Sequence, residues 1–229
     1  MTEAEWIACT DPQPMLEFLR GRASERKLRL FAVACCRRIW HLLMDERSRK
    51  AVEVAEQFAD GQVTDEGRAA AEDESWTAVK HLNRDETVDA ASVDAADTAY
   101  GAAFAEADDA VSYTADAALR GAEHAGVAAR IAEQNTQCNE VRDIFGPILF
   151  RSVILNPSWL SWHGGLLVSM ARRMYDSHDF SEAPVLADAL EEAGCQDQDI
   201  LAHCRSGSVH VRGCWVIDLL LGKPCGPAS

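Results

Sequence analysis

Apolar positions recur at helical spacing along most of the chain, and few segments show the strict alternation of a β-strand. The clearest case is the segment from residue 25 to residue 44, where Leu28 and Phe31 lie on one helical face. Its middle, residues 30–36, is apolar on every side, which predicts a central helix buried by its neighbours. Ser24 precedes the segment as an N-cap residue. The pattern predicts an all-α protein that folds as a multi-helix bundle.

The segment from about residue 86 to residue 143 differs, because alanine dominates it and Asp and Glu are scattered between the alanines. Alanine has the highest helix propensity, so we expect this region to be helical although it has few large side chains. A methyl group buries little apolar area, and such helices gain stability by approaching one another closely. The region predicts an acidic, alanine-rich hairpin of two antiparallel helices. Its outer face is either a solvated edge or an interface for another protein.

The helical pattern is interrupted at Gly146 and Pro147, and the residues that follow are richer in Trp, Pro and Gly. This change predicts a bundle over residues 1–145 and a smaller helical C-terminal unit over residues 146–229. Residues 148–155 are the best strand candidate, although an extended buried loop fits them equally well.

The apolar residues between positions 209 and 221 alternate as in a strand, yet they also pair at helical spacing. Gly222 stands where a helix C-cap glycine would, so we predict a helix from about Arg212.

Trp159, Trp162 and His163 form an aromatic group near the start of the C-terminal unit. They could wall a ligand pocket between the two units, as in a small-molecule enzyme. The alternative is that these side chains fasten an irregular linker onto the core.

Charge is distributed unevenly along the chain, whose formal net charge is −15. Residues 20–50 contain ten Lys and Arg against three Asp and Glu, whereas residues 51–140 contain twenty acidic residues against five basic ones. An acidic protein without interleaved exposed aromatic residues is a poor candidate for nucleic-acid binding. We therefore predict a non-enzymatic interaction or adaptor protein whose acidic helices bind a protein partner, most simply a basic one.

The composition is that of a globular protein without a membrane span. Apolar residues make up 48% of the chain and charged residues 26%, and no stretch approaches the roughly 20 apolar residues that a span needs. The N-terminus carries Glu3 and Glu5 where a secretory signal would carry basic residues before an apolar run. We expect a cytoplasmic protein, and its eight cysteines are then expected to stay reduced.

The last part of the chain holds the candidate metal ligands. Cys195, His203, His210 and Cys214 lie within twenty residues, with Cys204 and Cys225 in reserve. Zinc prefers cysteine sulfur and histidine nitrogen, but intervals of seven, six and three residues do not match a standard zinc-finger pattern. One interpretation is a zinc-type regulatory protein or enzyme with this ligand set. The favoured interpretation has no cofactor: the histidines cap helices and the cysteines fill small gaps in the core.

Motifs of well-known enzyme classes are missing from the sequence. It has no His-Glu-x-x-His, no Walker loop, no Gly-x-Gly-x-x-Gly and no Gly-x-Ser-x-Gly. No histidine has a glutamate three residues before it, which removes the Glu-x-x-His centres of carboxylate-bridged helical bundles. The sequence therefore indicates no catalytic residue, and we expect the protein not to be an enzyme.

Three blocks near the two ends are distinctive as sequence: residues 1–6 (MTEAEW), residues 30–40 (LFAVACCRRIW) and residues 210–223 (HVRGCWVIDLLLGK). Together they resemble a highly duplicated, uncharacterised family of planctomycete-type bacteria. The resemblance covers both ends and leaves out the alanine-rich middle. It implies a bacterial cytosolic origin, and it carries no assigned catalytic residue.

Overall fold

The computed structural model describes residues 1–224, and within that range it contains thirteen α-helices and no β-strand. The prediction of an all-α multi-helix protein is confirmed. The helices, in chain order, are α1 (Glu3–Ala8), α2 (Pro12–Leu19), α3 (Glu25–Arg38), α4 (Glu46–Ala59), α5 (Asp65–Leu82), α6 (Ala90–Ala102), α7 (Ala107–Glu123), α8 (Val127–Phe145), α9 (Pro157–Ser161), α10 (Leu166–Ser177), α11 (Ala183–Glu192), α12 (Gln198–Arg205) and α13 (Trp215–Leu220). Among these residues, no helix combines the length and the apolar character needed to cross a membrane.

Helix α3 is the centre of the bundle. Ten of its fourteen residues are buried, and it packs against α4, α6, α7 and α8. The apolar run on every side of the helix explains this position, since each face meets a neighbour. The helix ends at Arg38, earlier than the predicted end at residue 44, because a 3₁₀ turn at Trp40–Leu42 carries Leu43 into the core.

Helices α6 and α7 form the predicted alanine-rich hairpin. Their cross-contacts show that they run antiparallel: Asp97 binds Tyr113 and Arg120, and Asp94, about one turn earlier, binds His124. The buried positions of α6 are small residues, namely Ser92, Ala95, Ala96, Thr98, Ala99, Gly101 and Ala102. The alanine-rich region also contains a third helix, α8, where the prediction had two, and this helix packs against α2, α3 and α7.

The helices after α8 surround an apolar core of their own. One cluster of buried apolar side chains is built from residues 159–220 alone, with Trp159 and Trp215 among them. Trp162 packs against this cluster and His163 is exposed. The aromatic residues at the start of the unit therefore fasten the chain to the core.

The structure decides two points in the C-terminal part: of the two forms left open for residues 148–155 it excludes the strand, and the helix predicted from about Arg212 is present with a later start. Residues 148–155 form no strand, because the chain makes a 3₁₀ turn at Gly146–Leu149 and then runs irregularly to α9. The described part of the chain offers no second strand with which this span could pair. Helix α13 begins at Trp215 and not near Arg212, because the left-handed backbone of Gly213, with φ at 97°, cannot belong to a helix.

A network of buried ionic groups joins the bundle to helices α10 and α13. This Asp60 network consists of Arg26, Lys27, Asp60, Tyr175, Arg212, Asp218 and Lys223. Asp60, at the end of α4, lies 3.0 Å from Arg26 Nε and 2.9 Å from Lys223 Nζ. Asp218 of α13 lies 2.7 Å from Arg26 Nη1. The network fixes the C-terminal part against α3 and α4.

Candidate metal centre

Four side chains of metal-binding type converge where the bundle meets the C-terminal unit. They are Asp143, His203, His210 and Cys214, here called the Asp143 cluster, and one ligand atom of each lies within 4.8 Å of the others. Asp143 stands in the last turn of α8, His203 in the last turn of α12, His210 between α12 and α13, and Cys214 at the N-cap of α13. Residues far apart in sequence reach one point because three helix ends meet there.

The distances inside the cluster are those of direct polar contacts. Asp143 Oδ1 lies 2.6 Å from His210 Nδ1 and 3.1 Å from His203 Nε2. Cys214 Sγ lies 3.2 Å from His203 Nε2 and 3.9 Å from His210 Nδ1. Both imidazoles therefore turn a nitrogen toward the same carboxylate oxygen and the same sulfur.

The cluster is largely shielded from water, and this changes its acid–base chemistry. The side chains of Asp143 and His210 are 2% and 5% exposed, and that of His203 is 16% exposed. Burial alone would raise the pKa of Asp143, but the hydrogen bonds and charges of His203 and His210 lower it to about 2. Burial raises the pKa of the Cys214 thiol well above its ordinary value. The site thus pairs an ionised carboxylate with a thiol that a metal ion would deprotonate.

The turn before Cys214 is shaped by Gly213. The φ of this glycine is 97°, and a Cβ there would lie 3.0 Å from Leu30 Cδ1, so the turn packs directly against α3. The Cys214 N–H donates to the carbonyl of Val211 at 2.9 Å, and the Val211 N–H donates to Asp143 Oδ2 at 2.9 Å. The turn gives the second oxygen of the carboxylate a fixed partner and leaves the first oxygen to the other cluster members.

Lys27 holds the backbone on both sides of the cluster. Its fully buried ammonium donates to the carbonyl oxygens of Ile144 at 2.6 Å and Gly213 at 3.0 Å, which adjoin two of the cluster's residues. The same ammonium lies 3.1 Å from Asp218 Oδ2. Lys27 is therefore a positioning residue that links the Asp60 network to the Asp143 cluster.

The arrangement suits a tetrahedral metal ion. Zinc takes cysteine sulfur at about 2.3 Å and histidine nitrogen or carboxylate oxygen at about 2.0–2.2 Å, which places neighbouring ligand atoms about 3.3–3.8 Å apart. The observed contacts run from 2.6 Å to 3.9 Å, with all ligand atoms within 4.8 Å. A bound ion would therefore need ligand movements of about 1 Å or less. Sulfur and imidazole favour zinc-type ions over magnesium or calcium, which prefer oxygen.

Three of the four ligands predicted from the sequence, His203, His210 and Cys214, are brought together by the fold. Cys195 is not part of this group, and Asp143 takes the fourth position. The end of α11 determines where Cys195 lies. Its N–H donates to the carbonyl oxygen of Leu190, and its side chain lies in the apolar core of the C-terminal unit.

The two reserve candidates do not contribute to the cluster. Cys204 lies in the same apolar core, where burial raises its thiol pKa to about 12. Cys225 lies outside the described residues.

Asp143 was missed by sequence reasoning, although one signal could have pointed to it. It is an acid flanked by Val141, Ile144 and Phe145 at the buried end of α8, shortly before the break at Gly146. A carboxylate at a position that the helical pattern buries needs a partner, and in the fold His203 and His210 are those partners.

Comparison of the chain with protein-family models, with curated proteins and with solved structures finds no match. The Asp143 cluster is therefore interpreted from its own geometry and chemistry.

Proposed function

We propose that the protein binds one zinc-type divalent metal ion in the Asp143 cluster, and that this ion holds the C-terminal unit onto the bundle. The observation that carries the proposal is the convergence of four ligand atoms, of carboxylate, imidazole and thiol type, within 4.8 Å of one another. The ligands come from the ends of α8 and α12 and from the start of α13, so a bound ion would cross-link three helices.

A structural role fits the cluster better than a catalytic one. Structural zinc sites have four protein ligands, whereas catalytic sites keep a position for water or substrate. Here four side chains converge, and the most accessible of them, His203, is only 16% exposed. An ion at 100 times its dissociation constant would stabilise the folded chain by about 2.7 kcal/mol. The fold would thereby respond to metal supply, as expected of a metal-dependent regulatory protein.

Metal analysis and zinc titration test the proposal. We expect one zinc ion per chain, and a higher free energy of unfolding when zinc is added to the metal-free chain, because only the folded chain presents the assembled site. His210→Ala and Cys214→Ser each remove a ligand. Zinc affinity should therefore fall by more than the roughly 10–100-fold that results when a residue hydrogen-bonded to a metal ligand is removed. Cobalt(II) provides a second readout, since a thiolate-to-cobalt charge-transfer band reports coordination by Cys214.

Cys195→Ser is the matched control, because Cys195 is as buried as Cys214 and belongs to the same apolar core. We expect this variant to keep its zinc. A wild-type chain that binds neither zinc nor cobalt would refute the proposal. Loss of metal in Cys195→Ser, with retention in Asp143→Asn, would instead favour the ligand set predicted from the sequence.

The acidic-surface adaptor function predicted from the sequence stays a prediction. Helix α7 exposes Asp108, Asp109 and Asp116, whereas Asp94 and Asp97 of α6 are engaged in ion pairs. Docking of a basic protein on the exposed acids should weaken between low and physiological salt, because screening shortens the reach of surface charges. Partner capture that does not depend on salt would argue against this function.

A further inference from the structure

An open cleft of about 500 Å³ lies between the start of α4 and the end of α5. We call it the Arg84 cleft, and it is lined by Arg47, Thr77, Lys80, His81 and Arg84. Four of these five residues are basic and none is acidic, although the chain contains 37 Asp and Glu against 22 Lys and Arg. The cleft is therefore a local exception to the acidic character of the chain.

The basic residues of the cleft share one side of α5. Thr77, Lys80 and His81 stand at helical positions i, i+3 and i+4, which face the same way. The N–H of Arg84 donates to the carbonyl oxygen of His81 at 3.1 Å, so the turn after α5 keeps Arg84 beside this face. Arg47 in the first turn of α4 forms the opposite wall, because α4 packs along α5. Residues from two helices thus present cations to one space.

The carboxylates near the cleft already have partners. Three of them lie close enough to Arg47 or His81 to affect their charge, those of Asp45, Glu74 and Asp85. Asp45 Oδ1 and Oδ2 lie 3.0 Å and 2.7 Å from Arg47 Nε and Nη2. Glu74 lies 3.0 Å from Lys50 Nζ, and Asp85 Oδ1 accepts from the backbone N–H and the hydroxyl of Thr87 at 3.0 Å and 2.7 Å. Arg47 is neutralised by its own carboxylate, whereas the other cations of the cleft are not.

Lys80, His81 and Arg84 form no ion pair among residues 1–224. All three are exposed, so their donors can be reached from the cleft. The ammonium of Lys80 lies 5.6 Å from the ring centroid of Trp76, a contact that places the charge but does not neutralise it. The cleft therefore offers accessible N–H donors and two to three positive charges without a counter-ion.

The charge of the whole chain limits what can occupy the cleft. At a net charge of −15, a second copy of the chain or a long polyanion would be repelled as a whole, whereas a small anion meets mainly the local cations. A phosphate monoester carries a charge of about −1.5 to −2 near pH 7 and three acceptor oxygens, which matches the unpaired cations. A guanidinium binds two phosphate oxygens at once, and an ammonium acts as a point charge beside it.

We propose that the Arg84 cleft binds a small phosphate-bearing anion, whose phosphate group accepts hydrogen bonds from Lys80, His81 and Arg84. The volume of the cleft lies within the usual range of small-molecule sites, about 300–1,000 Å³, and leaves room for an organic group on the phosphate. The cleft shares no residue with the Asp143 cluster, so this site and the metal site can be tested separately.

Calorimetric titration of the full chain with inorganic phosphate, phenyl phosphate and acetate tests the site, at pH 7 and constant ionic strength. At physiological ionic strength the screening length is about 8 Å, so contacts inside the cleft outweigh distant acids. We expect saturable binding of at least one of the two phosphates, tighter than about 1 mM. Acetate carries a single charge and two oxygens, so we expect its binding to be about tenfold weaker or more.

Arg84→Gln removes the guanidinium and should weaken phosphate binding about tenfold or more, because hydrogen bonds to a charged group are lost. Arg84→Lys keeps the charge without the planar guanidinium, so its affinity should lie between wild type and Arg84→Gln. Arg172→Gln is the matched control, since Arg172 is an exposed arginine of α10 that has no ion pair in the described chain and does not line the cleft. Its effect should stay within about twofold.

The two phosphates distinguish the sources of the ligand. Equal affinity for both indicates that free phosphate is sufficient, and tighter binding of phenyl phosphate indicates an organic phosphate ester. No saturable binding of either phosphate overturns the site, and so does acetate binding as tight as that of phosphate. Equal weakening in Arg84→Gln and Arg172→Gln would mean that the anion responds only to the net charge of the chain, which also overturns the site.

The ring ¹⁵N resonances of the wild-type histidines give a readout that needs no variant. We expect the resonances of His81 to shift as phosphate saturates the chain, while those of His163, an exposed histidine of the C-terminal unit, stay in place. Phosphate binding that leaves the His81 resonances unchanged would place the anion elsewhere and overturn the site.

Discussion

Two buried carboxylates stand at the junction between the bundle and the C-terminal unit, Asp60 at the end of α4 and Asp143 near the end of α8. The side chain of each is 2% exposed, yet their neighbours differ in kind. The groups that contact Asp60 are cations and a hydroxyl, those of Arg26, Arg212, Lys223 and Tyr175. Asp143 faces two imidazoles and a thiol.

This difference separates a closed ion network from a site that can take a ligand. Guanidinium and ammonium groups only donate, so the carboxylate oxygens of Asp60 have donors on every contact and no lone pair of a neighbour faces them. Burial alone would raise the pKa of Asp60, but hydrogen bonds from Tyr175 and Lys223 and the charge of Arg26 hold it well below its usual range. Imidazole nitrogens and a thiolate carry lone pairs, and lone pairs that face one another need a proton or a cation between them. The direction of the lone pairs, more than burial or the number of charges, distinguishes the Asp143 cluster as the candidate metal site.

Lys27→Met should have the largest effect, because Lys27 belongs to the Asp60 network and also supports the Asp143 cluster. The substitution removes one cation from Asp218 and the donor from the carbonyls of Ile144 and Gly213. Removing one partner of a buried ion pair costs about 3–5 kcal/mol. We expect a loss of that size in the free energy of unfolding, measured by urea denaturation, together with weaker zinc binding.

Lys50→Met is the control for this substitution. The Lys50 side chain is 59% exposed and pairs with Glu74 on the surface, where an ion pair contributes about 0–1 kcal/mol. Equal free energies of unfolding in Lys27→Met and Lys50→Met would show that the buried ammonium of Lys27 does not link the Asp60 network to the Asp143 cluster.

Gly146→Ala should disturb the Asp143 cluster without removing any of its side chains. Gly146 has a φ of 50°, and a Cβ there would lie 2.5 Å from the ring of Trp215, the residue that follows Cys214. Backbone strain and displacement of the indole together should lower the free energy of unfolding by about 2–4 kcal/mol. Zinc affinity should fall as well, because the start of α13 must move.

Gly21→Ala separates strain from displacement. Gly21 has a similar φ of 66°, but a Cβ there would meet nothing within 4 Å. We expect a loss of about 1 kcal/mol and no change in zinc affinity. Equal zinc affinity in wild type and Gly146→Ala would show that Trp215 does not position the cluster.

The fold was more predictable from the sequence than the site. The apolar run around Phe31 and the alanine-rich segment each give a local helical signal, and both regions are helical as expected. The 3₁₀ turn at Trp40–Leu42 was not predictable, because it depends on the core position of Leu43. Local periodicity predicts that a helix forms, whereas the position of its last turn depends on the tertiary contacts of the residues that follow.

The candidate site was only partly predictable, because its members differ in sequence distance. His203, His210 and Cys214 lie close together in the sequence and were found as a group, while Asp143 lies far upstream on another helix. Cys195 has the right chemistry and the right neighbourhood in sequence, but the end of α11 directs it into apolar surroundings. Spacing reveals candidate ligands, and only tertiary packing decides which of their side chains meet.

Asp143→Asn should have the smallest of the three effects and should reveal itself through pH. With chelator present, the pKa of Asp143 is about 2 in the folded chain against an ordinary value of 3.8, a difference worth about 2–3 kcal/mol. Because the folded pKa is the lower one, this stability is fully present above about pH 4 and is lost as the pH falls toward 2. Urea denaturation should therefore show a difference in the free energy of unfolding between wild type and Asp143→Asn that is widest near neutral pH and narrows below pH 4. The control is Asp108→Asn, on the exposed face of α7, which should change the free energy of unfolding by under about 0.5 kcal/mol at every pH. A gap that stayed constant between pH 6 and pH 3 would mean that the two histidines do not hold this carboxylate in its ionised form, and the contrast with Asp60 would then lose its basis.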